Sequence, residues 1–335
     1  MMKVKCLFFI IICVLVISVN TVVAQNTSEK EEVIQFKAIR FTNESSASYY
    51  FAGKLFERIN ERAVGEFEID VIGGSEVISG RDQADATRQG VVDIAVVPAT
   101  YYLDLVPQVS GIMASERTPS EEREVGYYDF LNYHHNKVGL TFLGRTTTKM
   151  GFHISTKNRV DGIEDLAGLQ LRASPGVATR FITALGASPV QMGHGDTYTA
   201  LERGLLDGVV GTGTSVVSYS QYEVLGYWVD HPFFEATAAV IIFNTDSWNG
   251  LPKHIQDLII EEQKRIENEQ MVEWCVAENN KIIATLISEG MEPITFAEDE
   301  KEKFLNLAKQ SQIKAILPDV GDEKEAEEII GYLFK

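Results

Sequence analysis

One arginine stands out because of where it lies along the chain. Arg172 ends the alternating apolar stretch 168–172, which predicts a strand, and a predicted helix begins close behind it at Pro175. A guanidinium at the carboxyl end of a strand, beside the free N–H groups of a helix N-terminus, is well shaped to bind a carboxylate. Taken by itself, the same pattern also fits an arginine in a surface salt bridge, so both interpretations remain open at this point.

The other chemistry-bearing residues form no catalytic pattern. The sequence has no H-E-x-x-H, G-x-S-x-G, P-loop or C-x-x-C, and the glycines of residues 208–213 have a spacing reversed from the dinucleotide fingerprint. His134 and His135 are adjacent, so on a helix they point about 100° apart and do not converge on one metal ion. We predict that both are surface-exposed and that Cys275 is a small buried hydrophobe. We expect no cofactor, no metal and no catalytic residue.

Hydrophobic periodicity in the first part of the chain predicts an α/β unit. Strand and helix patterns alternate as β-α-β-α-β over residues 33–41, 46–63, 67–72, 81–90 and 92–97. The loop 98–102 follows the last of these strands. Ligands of open α/β sheets bind at the carboxyl ends of strands, so this loop is a candidate part of a binding site.

A second α/β unit is predicted from the elements that follow. Strand patterns cover residues 138–143, 150–155, 169–173, 189–192 and 208–210, and helical patterns cover residues 175–185 and 196–204. Residues 240–244 form a further extended apolar segment. Residues 252–287 are mostly helical, with strong charge on one face that is typical of a solvated surface.

The N-terminal residues predict export from the cytoplasm. Two lysines precede the apolar run 6–19, and a small-residue cleavage site follows at Ala24. We therefore predict a signal peptide over residues 1–24 and a periplasmic mature protein. An uncleaved anchor helix is the alternative, since the run approaches the lower end of the spanning length, and lipidation of Cys13 is also open.

Composition restricts the class of protein and its partners. The chain has 335 residues, of which 45% are hydrophobic and 23% charged, and its formal net charge is −18. This is typical of a globular protein that is long enough for two domains. The excess of acidic residues argues against a nucleic-acid partner and against electrostatic binding to an anionic membrane surface.

The segment that ends at Arg172 resembles one family of transport proteins. Residues 162–172 look like the "eDLkGLkiR" segment of the DctP-type periplasmic substrate-binding proteins of tripartite ATP-independent periplasmic (TRAP) transporters. Further similar segments occur in the same order, and the match covers most of residues 33–260. These segments are residues 65–67, 89–97, 185–192, 198–208, 222–224 and 244–252.

The resemblance implies a bilobed protein that closes on a ligand between two α/β domains joined by crossing strands and a long helix. We expect lobe I to comprise residues 25–148 plus 238–277, and lobe II to comprise residues 149–237 plus 278–335, with C-terminal helices. Similar family members deliver an organic acid to TRAP membrane permease subunits, driven by an ion gradient. Their matching arginine pairs with the ligand carboxylate, so Arg172 takes that role here, in a non-enzymatic protein that we expect to be monomeric.

Two departures from the family pattern narrow the expected ligand. Many relatives carry Glu and Asn in a D-G-x-E-N-P segment, but in residues 207–212 Gly211 offers only backbone and Thr212 a hydroxyl. Relatives that bind sugar acids or dicarboxylates often carry a further arginine in the preceding strand, where Phe152 or His153 stands here. One fewer positive charge and more apolar surface favour a monocarboxylate with an apolar or aromatic body.

Loops at the predicted strand ends supply the remaining candidate ligand-binding residues. For each of them, a loop or packing role is an equal alternative. They are Asn43, Asp82, Thr100, Tyr101, Thr148 and Phe234. Two other functions stay open: a sensor of the same fold that presents a carboxylate to a membrane receptor, and a secreted hydrolase. The paired carboxylates that a glycoside hydrolase needs have no distinctive placement in this sequence.

Overall fold

The computed structural model describes residues 32–173, 177–235 and 239–334. The signal peptide predicted over residues 1–24, including Cys13, lies outside the described residues. From Val33 onward the chain forms one unit built around two β-sheets. Within the described part, no helix combines the length and the apolar composition that crossing a membrane requires.

The first sheet has five strands. From one edge to the other they are β2 (Phe67–Gly73), β1 (Ile34–Arg40), β3 (Ile94–Pro98), β10 (Ala239–Asn244) and β4 (Leu140–Arg145). β1 is parallel to β2 and β3, whereas β10 is antiparallel to β3 and β4. Every residue of β4 and β10 is buried, because helices pack against both strands.

The second sheet has six strands. From one edge to the other they are β11 (Glu292–Ile294), β9 (Tyr227–Val229), β5 (Phe152–Thr156), β8 (Gly208–Thr212), β6 (Gln170–Ala173) and β7 (Ser188–Gln191). β6 is parallel to β7 and β8, and β5 is antiparallel to β8 and β9. The chain passes from the first sheet to the second between β4 and β5, and returns between β9 and β10.

The helix α1 (Ala47–Arg62) shows how local sequence forms these elements. The Ser46 side chain accepts a hydrogen bond from the backbone N–H of Ser48, and apolar residues at helical spacing bury one face. The other helices around the sheets are α2 (Gln83–Arg88), α3 (Pro119–Glu124), α4 (Tyr127–Asn136), α5 (Val177–Ala184), α6 (His194–Glu202), α7 (Gly213–Ser218), α8 (Thr245–Gly250), α11 (Glu298–Val320) and α12 (Glu323–Leu333). Short 3₁₀ helices cover Ala99–Tyr101, Pro107–Ala114, Ile163–Leu166 and Gln221–Glu223.

One long helical segment links the surroundings of the two sheets. It consists of α9 (Lys253–Ile266), a π-helical turn (Glu267–Met271) and α10 (Val272–Ser288). α9 packs against α1 and β4 beside the first sheet, whereas α10 packs against α7 and β11 beside the second. The segment is therefore the third connection between the sheets, and its irregular turn lies midway along it.

The two C-terminal helices close over the 3₁₀ helix Pro107–Ala114. α11 packs against both this segment and α5, and α12 packs against the same segment. A Cβ atom at Gly111 would meet the Leu333 side chain and would lie 3.2 Å from Ile329 Cγ2. Only glycine therefore allows α12 to approach this closely. The lobe boundaries proposed from the sequence stay a prediction.

Most predicted elements are present, but one prediction about burial is wrong. His134 and His135 lie on α4 and are both buried, although we predicted exposed side chains. His135 contacts Tyr102 beneath the first sheet, and His134 faces α12. The 3₁₀ helix Pro107–Ala114 was not predicted either. The buried Cys275 confirms the prediction made for that residue.

Candidate functional site

Three neighbouring strands of the second sheet carry five of the predicted residues toward the same end of the sheet. The register of β5 against β8 places Phe152 opposite Thr212 and His153 opposite Gly211. Because the two strands are antiparallel, the start of β5 lies beside the end of β8. β6 is parallel to β8 on its other side and runs toward the same end, with Arg172 opposite Val209, two residues before Gly211. Strand pairing thus joins residues that lie far apart in the sequence.

Arg172 is buried and its guanidinium is held in place. The residue is 4% exposed, and its Nε and Nη2 groups donate hydrogen bonds to the Met192 carbonyl oxygen at 3.2 and 3.1 Å. Burial lowers the pKa of Arg172, and the phenols of Tyr101 and Tyr219 partly oppose this effect. The side chain stays protonated at neutral pH, and an anion beside it would offset the cost of burying its charge.

Two tyrosines from different parts of the fold surround this guanidinium. Tyr101 ends the short 3₁₀ helix that follows β3 of the first sheet, whereas Tyr219 follows α7 of the second. Both interact electrostatically with Arg172 and with each other, and burial raises the pKa of Tyr219. Residues carried by the two sheets therefore face a common space.

Arg81 brings a second guanidinium to the Tyr101 side of this space. Its guanidinium carbon lies 5.4 Å from the centroid of the Tyr101 ring, within the range of a cation–π interaction. A Cβ atom at Gly80 would lie 3.3 Å from the same ring, so the glycine lets the loop approach Tyr101 closely. The prediction named the next residue, Asp82, and did not include Arg81.

His153 does not replace the missing strand arginine as a cation. Its Nδ1 lies 2.8 Å from the Val229 carbonyl oxygen and donates to it, which makes Nε2 the acceptor of a neutral ring. Burial lowers the pKa of His153, so the ring is neutral at pH 7. At this end of the second sheet, Arg172 is therefore the charged group and His153 is a neutral polar group.

Apolar rings lie beside these polar groups. The Phe152 N–H donates to the Phe234 carbonyl oxygen at 2.8 Å, and the Phe233 N–H donates to the Phe152 carbonyl oxygen at 3.1 Å. Phe234 is buried, and the ring centroids of Phe233 and Phe181 are 4.6 Å apart. The candidate site therefore combines a buried cation with aromatic surface, which is suited to an organic anion that has an apolar part.

Most of the sequence matches one family model. The model for the bacterial extracellular solute-binding proteins, family 7 (DctP), covers residues 40–316. The chain belongs to this family. The prediction of a DctP-type solute-binding protein, drawn from the segment before Arg172, is confirmed.

Known relatives of this solute-binding protein are distant in sequence and close in fold. A monocarboxylate 2-oxoacid-binding periplasmic protein of Nostoc is 22% identical over 273 residues, which are 76% of this chain and 72% of that protein. A TRAP periplasmic solute-binding protein of Desulfovibrio salexigens with bound orotic acid superposes with a TM-score of 0.77 at 18% identity, covering 89% of this chain and 97% of the other. A Bordetella pertussis extracytoplasmic solute receptor binding pyroglutamic acid gives 0.78 at 16% identity, covering 90% and 99%. The predicted bilobed fold is thereby confirmed.

The remaining predicted residues of the solute-binding protein differ in accessibility. Asn43 and Asp82 are exposed on loops beside the first sheet, whereas Thr100 is buried. Thr148 is also buried, and its backbone interacts with the Cys275 thiol of the long helical segment. Their roles in ligand binding stay predictions. Within the described residues, no group of three or more His, Cys, Asp or Glu side chains is placed to hold a metal ion.

Proposed function

We propose that this solute-binding protein is the extracytoplasmic receptor of a TRAP transporter, exported through the signal peptide 1–24. It captures a small monocarboxylate with an apolar or aromatic body and delivers it to the membrane permease subunits. The observation that carries this proposal is the buried Arg172 guanidinium. Arg172 lies near the end of β6, and its hydrogen bonds to Met192 fix its orientation. This arrangement suits end-on hydrogen bonding to one carboxylate.

The ligand class follows from the charges and rings around Arg172. On the side of the second sheet, a second carboxylate would meet the neutral ring of His153 in place of an arginine, while the Arg81 guanidinium on the other side lies over the Tyr101 ring. The apolar part of a ligand would instead find Phe152, which is partly exposed. The names of the three relatives support this choice, since a 2-oxoacid, orotic acid and pyroglutamic acid each carry one carboxyl group.

Substitution of Arg172 tests the proposed pairing of its guanidinium with the ligand carboxylate. Removing one partner of a buried charge pair costs about 2–5 kcal/mol, so Arg172→Gln should weaken binding by roughly 30-fold or more. Arg172→Lys should retain part of the affinity, because an ammonium keeps the charge but loses the planar fork. Thermal-shift screening of carboxylates would find the ligand, and titration calorimetry would measure its affinity for each variant.

The exposed Arg159 offers a matched control. It pairs with Asp161 and is 48% exposed, so Arg159→Gln should leave the ligand affinity unchanged. Binding by Arg172→Gln as tight as that of the wild type would refute the role of Arg172. Large thermal stabilisation by hexuronates or dicarboxylates, with none from hydrophobic monocarboxylates, would refute the ligand class.

A further inference from the structure

Arg81 carries a guanidinium that pairs with no carboxylate of the described residues. It lies exposed just before α2, and within the described part of the chain it forms neither an ion pair nor a hydrogen bond. Two arginines of adjoining elements differ in this respect. Arg40, at the end of β1, pairs with Glu44 at 3.0 Å, and Arg88, at the end of α2, pairs with Asp85 at 2.6 Å. The N–H groups of Arg81 are therefore available to a group from outside the chain.

The loop that carries Arg81 is anchored to the first sheet. Gln83 is fully buried, and its Nε2 donates a hydrogen bond to the Arg40 carbonyl oxygen at 2.9 Å. The Ser75 hydroxyl donates to the Phe41 carbonyl oxygen at 2.9 Å. These bonds tie the loop to the carboxyl end of β1, which is the end of an open α/β sheet where ligands bind. The backbone at Arg81 is thus held close to a place where a ligand is expected.

Tyr101 connects Arg81 with the carboxylate site at Arg172. The Arg81 guanidinium carbon lies 5.4 Å from the Tyr101 ring centroid, and the same tyrosine interacts electrostatically with Arg172. Tyr101 therefore lies between two guanidinium groups, one beside each sheet. A ligand whose carboxylate pairs with Arg172 and whose body lies along Tyr101 would bring its far end to Arg81.

The chemistry of Arg81 suits an oxygen acceptor. A guanidinium has five N–H donors in one plane and no acceptor. The cation–π contact with Tyr101 is not a hydrogen bond, so the planar fork of donors remains for an acceptor that the ligand supplies. A carbonyl or a carboxylate oxygen can accept in this way. Because hydrogen bonds from a charged donor are stronger than those between neutral groups, Arg81 can discriminate between ligands with and without such an oxygen.

We propose that Arg81 is a specificity-determining residue of the ligand site. It donates hydrogen bonds to an oxygen acceptor at the end of the ligand opposite the carboxylate. This inference rests on the proposed function, because it takes the ligand carboxylate to pair with Arg172. Acids with a carbonyl-type oxygen at the far end of the body are then preferred over acids with a purely hydrocarbon body.

Titration calorimetry with three para-substituted benzoates tests the role of Arg81. The wild type should bind 4-acetylbenzoate about tenfold more tightly than 4-isopropylbenzoate, which has the same shape but no acceptor. Arg81→Met keeps a long apolar side chain without N–H donors, so it should abolish this difference and leave the affinity for 4-isopropylbenzoate unchanged. Arg88→Met removes a guanidinium that pairs with Asp85 and should keep the wild-type preference.

The third probe, terephthalate, distinguishes a carbonyl from a second carboxylate. Tightest binding of terephthalate, lost in Arg81→Met, would support the role of Arg81 and refute the monocarboxylate class of the proposed function. Equal affinities of the wild type for 4-acetylbenzoate and 4-isopropylbenzoate, an unchanged preference in Arg81→Met, or failure of all three probes to bind would overturn the inference.

Arg172→Gln separates this inference from the proposed function. It should weaken the binding of all three benzoates, whereas Arg81→Met should affect only the two with an acceptor at the far end. Loss of binding in Arg172→Gln without an effect of Arg81→Met would overturn the role of Arg81 alone. Carboxylates outside this series that stabilise the wild type but not Arg172→Gln would likewise leave the pairing at Arg172 standing.

Discussion

At Arg172, burial and hydrogen bonding have opposite effects on the stability of the charged guanidinium. Burial disfavours its charge, while the Met192 carbonyl oxygen and the nearby phenols of Tyr101 and Tyr219 favour it. At His153, burial prevails and the ring is neutral. Two buried basic residues on the strands that flank β8 thus differ in charge at neutral pH. This difference comes from the residue type, because the pKa of arginine is too high for burial to neutralise it.

His135 should make the protein sensitive to mild acid. Its Nδ1 donates to the Leu131 carbonyl oxygen at 2.7 Å, its Nε2 accepts from the Tyr102 hydroxyl at 3.1 Å, and burial lowers its pKa from 6.5 to about 4. Between these two values the unfolded state binds a proton that the folded state excludes, so stability falls as the pH falls. The free energy of unfolding should decrease by about 3 kcal/mol from this group between pH 6.5 and 4.

Urea denaturation at a series of pH values measures the effect of His135. His135→Gln should be less stable at neutral pH but should lose less stability on acidification than the wild type. His254 is 65% exposed, so His254→Gln is the matched control and should keep the wild-type slope. An identical pH dependence in His135→Gln and the wild type would contradict the assignment.

At the scale of elements, the π-helical turn of the long segment is tied to the end of β4. Arg123 Nη2 donates to Glu267 Oε1 at 3.1 Å and to the Leu143 carbonyl oxygen at 2.6 Å. Gln263 Nε2 donates to the same Glu267 oxygen at 2.7 Å and to the Arg145 carbonyl oxygen at 3.0 Å. The chain leaves β4 for the second sheet directly after these contacts. The network therefore joins two of the three connections between the sheets.

Glu267→Gln should destabilise the protein by about 3–5 kcal/mol, because it leaves the largely buried Arg123 guanidinium without its carboxylate. Glu267 is fully buried, whereas Glu269 is 62% exposed beside Arg265, so Glu269→Gln should cost less than about 0.5 kcal/mol. Urea denaturation at pH 7 compares the two variants. Equal stabilities would show that the buried pair contributes no more than the exposed one.

At the scale of the whole molecule, the proposed ligand would join the two sheets. Arg172 belongs to the second sheet and Tyr101 follows a strand of the first, so a carboxylate that contacts both would favour a closed arrangement. Closure of domains around a ligand is a general response of two-domain binding proteins. The three connections between the sheets provide the places at which such a movement can occur.

Small-angle X-ray scattering should detect this closure. Saturation with the carboxylate found by thermal-shift screening should lower the radius of gyration of the wild type. Arg172→Gln at the same ligand concentration should keep the radius of the free protein, because it binds the ligand weakly. The control Arg159→Gln should contract as the wild type does. An unchanged radius in the saturated wild type would contradict closure.

The secondary-structure elements and the family could be predicted from the sequence because both depend on residues that are close together along the chain. Strand and helix periodicities depend on neighbouring residues, so nine of the eleven strands in the described residues were predicted to within a few residues, whereas the three-residue strands β9 and β11 were not predicted. The segment that ends at Arg172 is contiguous, and its resemblance therefore needed no tertiary information. Among the predicted helices, α2 differs most in length, since it covers six residues where ten were predicted.

Side-chain environments were decided by contacts between distant parts of the chain. His134 and Glu325 are nearly two hundred residues apart, and only the packing of α12 beside α4 buries the histidine. Arg81 approaches the Arg172 region from just before α2, and Tyr219 from the residue that follows α7. Burial, pKa and the pairing of charges depend on which elements cover a residue. Local sequence specifies the elements themselves, whereas their packing sets the chemistry of the residues between them.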